Sequence, residues 1–91
     1  MKNNNFEHHK VILNILNSEG IVIYSENSNS INDYFSDTIK FQIFLQKATK
    51  FPKDAITYEF KDKNGQFKQG IIRYNKKADI FIVEDIDTTI L

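Results

Sequence analysis

The 91-residue sequence is long enough for one modest hydrophobic core and too short for two, so we expect a single domain. Basic and acidic residues balance at 12 each, which disfavours nucleic acid as a partner because no net charge attracts phosphates. The absence of cysteine excludes disulfides, a thiolate nucleophile and sulfur-ligated metal. No apolar run of membrane-spanning length and no signal peptide is visible, so we predict a cytoplasmic protein.

The first structured part of the chain fits two interpretations. Residues 6–18 have the spacing of a helix that ends near Gly20. Lys10–Leu16 instead fits a strand, because its β-branched residues alternate in the strand pattern. The turn formed by Ser18-Glu19-Gly20 favours the strand, and Ile21–Tyr24 would then complete a hairpin with it.

The middle of the chain contains the one long helical candidate. Asp33 or Asp37 is expected to cap its start, and Pro52 is expected to end it because Phe51 before a proline avoids helical geometry. Apolar residues recur at helical spacing, and two isoleucines widen the stripe that they form: Phe41, Phe44, Leu45, Ala48, Ile39 and Ile43. We therefore expect this helix to lie flat on a sheet.

The strongest local signal is a hairpin centred on Asn64-Gly65. Ile56–Lys61 alternates apolar and polar residues, and Phe67–Tyr74 runs back after the turn. An Asn-Gly pair is typical of a two-residue type I′ turn, which requires positive φ at both positions. That register places Tyr58 opposite Ile71. It also places five apolar residues on one face of the sheet: Ile56, Tyr58, Phe60, Phe67 and Ile71.

The last strand completes the predicted fold class. After a turn over residues 75–79, the apolar side chains of Ile80–Val83 fall on both faces, as in a strand at the centre of a sheet. We predict an α+β fold, a five-stranded antiparallel sheet with one main helix packed on a face, in the order β-β-α-β-β-β. Residues 1–9 would be a flexible or helical extension, and residues 10–91 the single domain.

Three segments of this arrangement resemble the PAS family of sensor domains and the related Cache domains, which belong to the profilin-like superfold. Ser18-Glu19-Gly20-Ile21-Val22-Ile23-Tyr24-Ser25 is similar to the family's opening hairpin. Tyr58–Phe67 is similar to its paired strands around a glycine turn, and Ile82–Asp87 resembles its closing strand. Roadblock-like and other profilin-like domains share a similar strand order.

The resemblance implies a non-catalytic sensory or dimerisation domain of a signal-transduction protein. A ligand or partner on the inner face of the sheet would bias the helix and the terminal segments, often across a homodimer. Candidate residues to line such a cavity are Tyr24, Phe41, Phe44, Tyr58, Phe60 and Ile82. The alternative for these residues is plain core packing, which a small domain needs. The cofactor stays undetermined: cysteine for a flavin adduct is absent, and neither histidine lies in the helical segment.

Two further polar clusters are weaker candidates for sites. His8 and His9 are adjacent, so their side chains point in different directions and rarely bind one metal ion together. Glu84, Asp85 and Asp87 could attract a divalent cation, but the glycine and distal glutamate of a calcium loop are missing. We therefore expect an exposed histidine pair, a solvated strand end and no metal site.

A competing hypothesis treats the chain as a stand-alone inhibitor or regulator of another protein, for example one encoded by a phage. It would act through a sheet edge or through a charged hairpin with interleaved aromatic residues: Lys61, Lys63, Phe67, Lys68, Arg73 and Tyr74. Lysines on an exposed hairpin also discourage aggregation, which is the simpler explanation. Neither hypothesis requires an enzyme, because no nucleophile-base pair, phosphate-binding glycine loop or paired catalytic carboxylate is visible.

Overall fold

Five antiparallel strands form one sheet, and a 12-residue helix packs on one of its faces. The structure is a computed structural model that describes residues 10–87. Its elements are β1 Lys10–Leu16, β2 Val22–Ser25, α1 Ile39–Lys50, β3 Ile56–Lys61, β4 Phe67–Asn75 and β5 Ile80–Asp87. The sheet order is β2-β1-β5-β4-β3, so β5 lies in the middle as predicted. The predicted fold class and element order are confirmed, and the strand interpretation of Lys10–Leu16 is correct.

The core lies between α1 and the face of the sheet beneath it, which we call the helix face. Phe41, Leu45 and Ala48 point from α1 toward the sheet and are buried. The sheet contributes alternate residues of each strand, as the two-residue period requires: Leu16, Val22, Ile56, Tyr58, Phe60, Ile72, Phe81 and Val83. Within residues 10–87, no helix has the length and apolar content that crossing a membrane requires.

The register predicted for the β3–β4 hairpin is wrong by one residue. Lys61 pairs with Phe67 and Tyr58 with Gly70. The amide of Asp62 donates to the carbonyl of Gln66 at 2.9 Å and closes the hairpin, so three residues, 63–65, rather than two lie in the loop. Among the three loop residues, Gly65 alone has a positive φ, 79°, and its amide donates to the carbonyl of Asp62 as in a type I turn followed by a left-handed glycine. The Asp62 carboxylate stabilises this longer loop by accepting from two backbone amides, those of residues 64 and 66, each at 2.9 Å.

This shift moves two predicted core residues to the opposite face of the sheet, because neighbouring strand residues point in opposite directions. Phe67 is 46% exposed there, and Ile71 is half-buried. Ile72 takes the place on the helix face that the predicted register gave to Ile71, and it is fully buried. Ile56, Tyr58 and Phe60 lie on the helix face as predicted.

The helix differs from its prediction at its outer surface and at its start. Ile39 and Ile43 are 77% and 57% exposed, so they do not widen the apolar stripe. Neither predicted aspartate caps α1: the cap position is Thr38, which makes no side-chain capping bond. Asp37 is paired instead with Lys63 at 2.7 Å. The helix ends at Lys50, just before Pro52, as predicted.

Candidate functional site

A tyrosine on the edge strand reaches across a neighbouring strand to a buried carboxylate. The hydroxyl of Tyr58 on β3 donates to Oδ1 of Asp85 on β5 at 2.5 Å. Between them lies Gly70 of β4, where an added Cβ atom would approach the Tyr58 hydroxyl to 2.6 Å. A side chain at this position would occupy the space of the phenol ring, so the contact depends on glycine.

The environment of Tyr58 keeps its hydroxyl protonated. Burial, reinforced by the negative charge of Asp85 and by the hydrogen bond to it, raises the pKa of Tyr58 well above the ordinary 10.0. Tyr58 therefore serves as a fixed hydrogen-bond donor to the carboxylate. A neutral donor beside a carboxylate compensates part of the cost of burying Asp85, which is only 8% exposed.

Beside this contact, the part of the helix face that α1 does not cover forms a cleft of about 460 Å³, which we call the polar cleft. Its floor consists of side chains from three neighbouring strands: Ile12, Asn14, Lys68 and Asp85. One wall is the segment between β2 and α1, with Asn29, Asp33, Tyr34 and Phe35, and the other is the hairpin end, with Gln66 and Phe67. The cleft therefore combines a polar floor with one aromatic wall.

Backbone hydrogen bonds hold the first wall in place. Val22 on β2 donates to the carbonyl of Asp33 at 2.8 Å, and the amide of Asn32 donates back to the carbonyl of Val22 at 2.8 Å. Phe35 then turns inward, where its ring centroid lies 4.9 Å from that of Phe41 in α1. The wall is consequently attached both to the sheet edge and to the helix.

Asn14 is the polar residue of the floor that lacks a complete set of partners. It is 3% exposed, and it lies on the helix face as the diagonal neighbour of Asp85 in the β1–β5 register. Within residues 10–87 its side chain makes one hydrogen bond, in which Nδ2 donates to the carbonyl of Ile12 at 3.3 Å. Its amide oxygen accepts no hydrogen bond from that part of the chain, which is unusual for a buried side chain.

Lys68 brings a positive charge to the same floor. Its Nζ lies 3.9 Å from Oδ2 of Asp85, at ion-pair distance but too long for a direct hydrogen bond. The Lys68 side chain is 35% exposed, so the ammonium group borders the open part of the cleft. Lys68 and Asp85 therefore bring opposite charges to this part of the floor.

The structure brings together four of the six residues predicted to line a cavity. They meet between α1 and the helix face, where they pack ring against ring: Phe41, Phe44, Tyr58 and Phe60. The ring centroids of Phe41 and Tyr58 are 5.6 Å apart. Only the hydroxyl of Tyr58 reaches the floor of the polar cleft, through Asp85. The other two, Tyr24 and Ile82, point away from α1. Both pair with Ile15 of β1, and Ile15 lies between two residues that face α1, Asn14 and Leu16, so its own side chain points the other way.

The predicted charged hairpin does not form one surface. Lys61, Phe67 and Arg73 lie on the face away from α1, where Arg73 pairs with Glu84 at 2.9 Å. Lys68 and Tyr74 lie on the helix face.

Two residues of this hairpin have shifted pKa values. The Tyr74 hydroxyl donates to Asp79 at 2.6 Å. This hydrogen bond raises the pKa of Tyr74, with smaller contributions from burial and from the Asp79 charge. Lys63 in the turn is paired with Asp37, and this contact raises the pKa of the lysine and lowers that of the aspartate.

Within residues 10–87, no helix covers the other face of the sheet, which we call the open face. Apolar side chains from four strands occupy it: Val11, Leu13, Ile15, Tyr24, Phe67, Ile71 and Ile82. Val11 and Tyr24 are 51% and 49% exposed. The Arg73–Glu84 ion pair lies among these apolar residues. Exposed apolar residues gathered on one face often mark an interaction site.

The acidic cluster near the C-terminus is not the solvated strand end that the sequence suggested. Asp85 is buried on the helix face, and Glu84 is half-buried on the open face, paired with Arg73. The Asp87 side chain, like His8 and His9, lies outside what the structure describes. Across residues 10–87 no group of three or more histidine, cysteine or acidic side chains could hold a metal ion.

The sequence analysis missed Asn14, although its pattern contained a signal. In β1, Ile12, Asn14 and Leu16 occupy alternate positions, so burial of Leu16 also places the polar Asn14 on the inner face. A polar residue in the inward-facing series of a strand indicates either a buried hydrogen bond or a site. Comparisons with protein-family models, with curated proteins and with solved structures gave no match for this chain.

Proposed function

We propose that this protein is a non-catalytic, PAS-like sensory domain that binds a small molecule in the polar cleft. The observation that carries the proposal is the burial of Asn14 and Asp85 on the floor of a cleft of about 460 Å³. Small-molecule sites typically measure roughly 300–1,000 Å³ and combine apolar walls with a few convergent polar groups. A buried amide oxygen without a partner is costly for folding alone, but it provides specificity for a ligand.

The contacts of the cleft suggest how binding would be communicated. The Phe35 ring connects the wall to Phe41 in α1, and Asp85 is two residues from the last residue of β5, Asp87. A ligand that moves the wall or the Asp85 carboxylate would therefore act on the helix and on the C-terminal end of the domain. Such coupling requires that the ligand bind two arrangements of these elements with different affinity.

Native mass spectrometry of the protein, purified under mild conditions, tests the proposal. We expect an added mass that denaturation releases. Gln66→Trp should lower its occupancy, because residue 66 lines the hairpin wall and an indole would fill the cleft. Gln46→Trp is the matched control, since residue 46 is exposed on α1 away from the cleft. Absence of any bound molecule, or equal loss in both variants, would contradict ligand binding in the cleft.

A second candidate function is binding to a protein, including a second copy of this chain, through the open face. The uncovered apolar residues of that face favour it, notably Val11 and Tyr24. Tyr24→Lys should abolish association in sedimentation-velocity experiments, because a charged side chain would be desolvated in the interface. Ile39→Lys, which changes an isoleucine that is 77% exposed on α1, is the control. A wild-type protein that stays monomeric at all concentrations would exclude self-association.

A further inference from the structure

We infer that the ligand of the polar cleft is a small, planar ring compound that carries an N–H group beside a carbonyl, as lactams and nucleobases do. This inference rests on the proposed function, because it specifies the chemistry of the same cleft. Three properties of the cleft lead to it: an unpaired buried acceptor, a nearby donor and an exposed aromatic side chain on one wall.

The acceptor is the amide oxygen of Asn14. This side chain is 3% exposed, lines the cleft and, within residues 10–87, donates one hydrogen bond to Ile12 but accepts none. A ligand N–H group would complete its hydrogen bonding. A ligand without such a donor would bury the oxygen further without a partner, and a site built in this way discriminates strongly against molecules that lack the matching group.

The donor is the ammonium group of Lys68, on the other side of Asp85. Its distance of 3.9 Å from the Asp85 carboxylate and its partial exposure leave Nζ protons available to a carbonyl oxygen. A ligand with one donor and one acceptor therefore fits both groups: its N–H group faces Asn14, and its carbonyl faces Lys68.

The wall between β2 and α1 favours a flat ring. Tyr34 on this wall is 56% exposed and lines the cleft. An aromatic side chain so exposed in a small domain can cover one face of a planar molecule, which buries apolar area on both partners. The same ring would give little to a small, fully hydrated ion.

Titration with two probes followed by amide ¹H–¹⁵N spectra tests this inference. The probes are 2-pyridone, a planar ring with N–H beside C=O, and N-methyl-2-pyridone, which keeps the ring and carbonyl but lacks the N–H. We expect 2-pyridone to shift the amide signals of the cleft, including residues 14, 34 and 67, and to bind about tenfold more tightly than the methylated probe. Equal affinities, shifts outside the cleft or no shifts at the highest soluble concentration would overturn the inference.

A substitution of Asn14 tests whether its amide oxygen accepts the hydrogen bond from the ligand N–H group. Asn14→Val removes the amide oxygen but keeps a strand-forming residue, so it should abolish the tenfold preference while leaving weak binding of both probes. The two-probe comparison on the wild-type protein decides the case even if this variant does not fold. Retention of a molecule of another chemical class in the mass spectrum would preserve the proposed function and refute this inference alone.

Discussion

Tyr58 and Asp85 form a hydrogen bond of 2.5 Å that spans a whole strand, from β3 to β5 across β4. The phenol ring belongs to the aromatic core beneath α1, whereas the carboxylate belongs to the floor of the polar cleft. The Tyr58–Asp85 hydrogen bond therefore contributes both to the stability of the core and to the position of a carboxylate in the candidate site. Substitutions of the residues that form or border this contact measure its contribution to stability.

Gly70→Ala tests whether the Tyr58 side chain crosses β4 at Gly70. The added methyl group would collide with the backbone oxygen of Glu84 and displace the Tyr58 hydroxyl. We expect a loss of about 1–3 kcal/mol in the free energy of unfolding, measured by urea denaturation, as for other overpacked sites. Gly65→Asn is the control, because no atom lies within 4 Å of its Cβ position and asparagine tolerates the positive φ there. Equal losses in the two variants would show that the ring does not cross at residue 70.

Tyr58→Phe removes the hydroxyl and keeps the ring. The Asp85 carboxylate would remain buried without this donor, so the free energy of unfolding should fall by about 1–3 kcal/mol. Tyr74→Phe, which removes a hydrogen bond to Asp79 near the surface, should cost less. If the Tyr58 variant were as stable as the wild type in urea, the contact would contribute nothing to the fold.

Alkaline pH should destabilise the protein partly through Tyr58. The raised pKa of this residue means that the folded chain keeps the phenol proton, while the unfolded chain loses it near the ordinary value of 10.0. The stabilisation is therefore complete below that pH and decreases as pH rises above it. Urea midpoints at about pH 8 and about pH 11 should differ more for the wild type than for Tyr58→Phe. Identical pH dependence in both proteins would refute the assignment.

Phe60→Ala and Phe67→Ala test the hairpin register directly. Phe60 is 3% exposed under α1, so its truncation should cost about 3–5 kcal/mol in the free energy of unfolding. Phe67 is 46% exposed on the opposite side, and its truncation should change stability by only about 0.5 kcal/mol. Similar large losses from both truncations, measured in urea, would restore the register in which the two side chains share a face.

The sequence was sufficient to predict the elements because their signals are local. Alternation and β-branched residues identified Lys10–Leu16 as a strand, helical spacing identified α1, and Pro52 marked its end. The loop length at Asn64-Gly65 was not predictable from the pair itself, since both two- and three-residue loops use such a glycine. The choice depends on the Asp62 carboxylate, which binds the amides of residues 64 and 66 in the longer loop.

The one-residue error in the predicted register of the β3–β4 hairpin explains why the candidate site was only partly predicted. The register decides that Gly70, not Ile71, lies opposite Tyr58, and so opens the path from Tyr58 to Asp85. The aromatic residues predicted to line a cavity became the core, because α1 packs directly on them. The cleft formed beside them, where β1, β4 and β5 extend past the helix, and no local pattern encodes that position.

Amide ¹H–¹⁵N spectra recorded before and after ligand removal decide whether the polar cleft holds a ligand. The protein would be purified under mild conditions, then denatured, dialysed and refolded. We expect signals to change at the cleft, including those of Asn14, Tyr34 and Phe67, and to stay unchanged on the outer side of α1. Identical spectra, or changes confined to the open face around Val11 and Tyr24, would contradict a ligand-binding cleft.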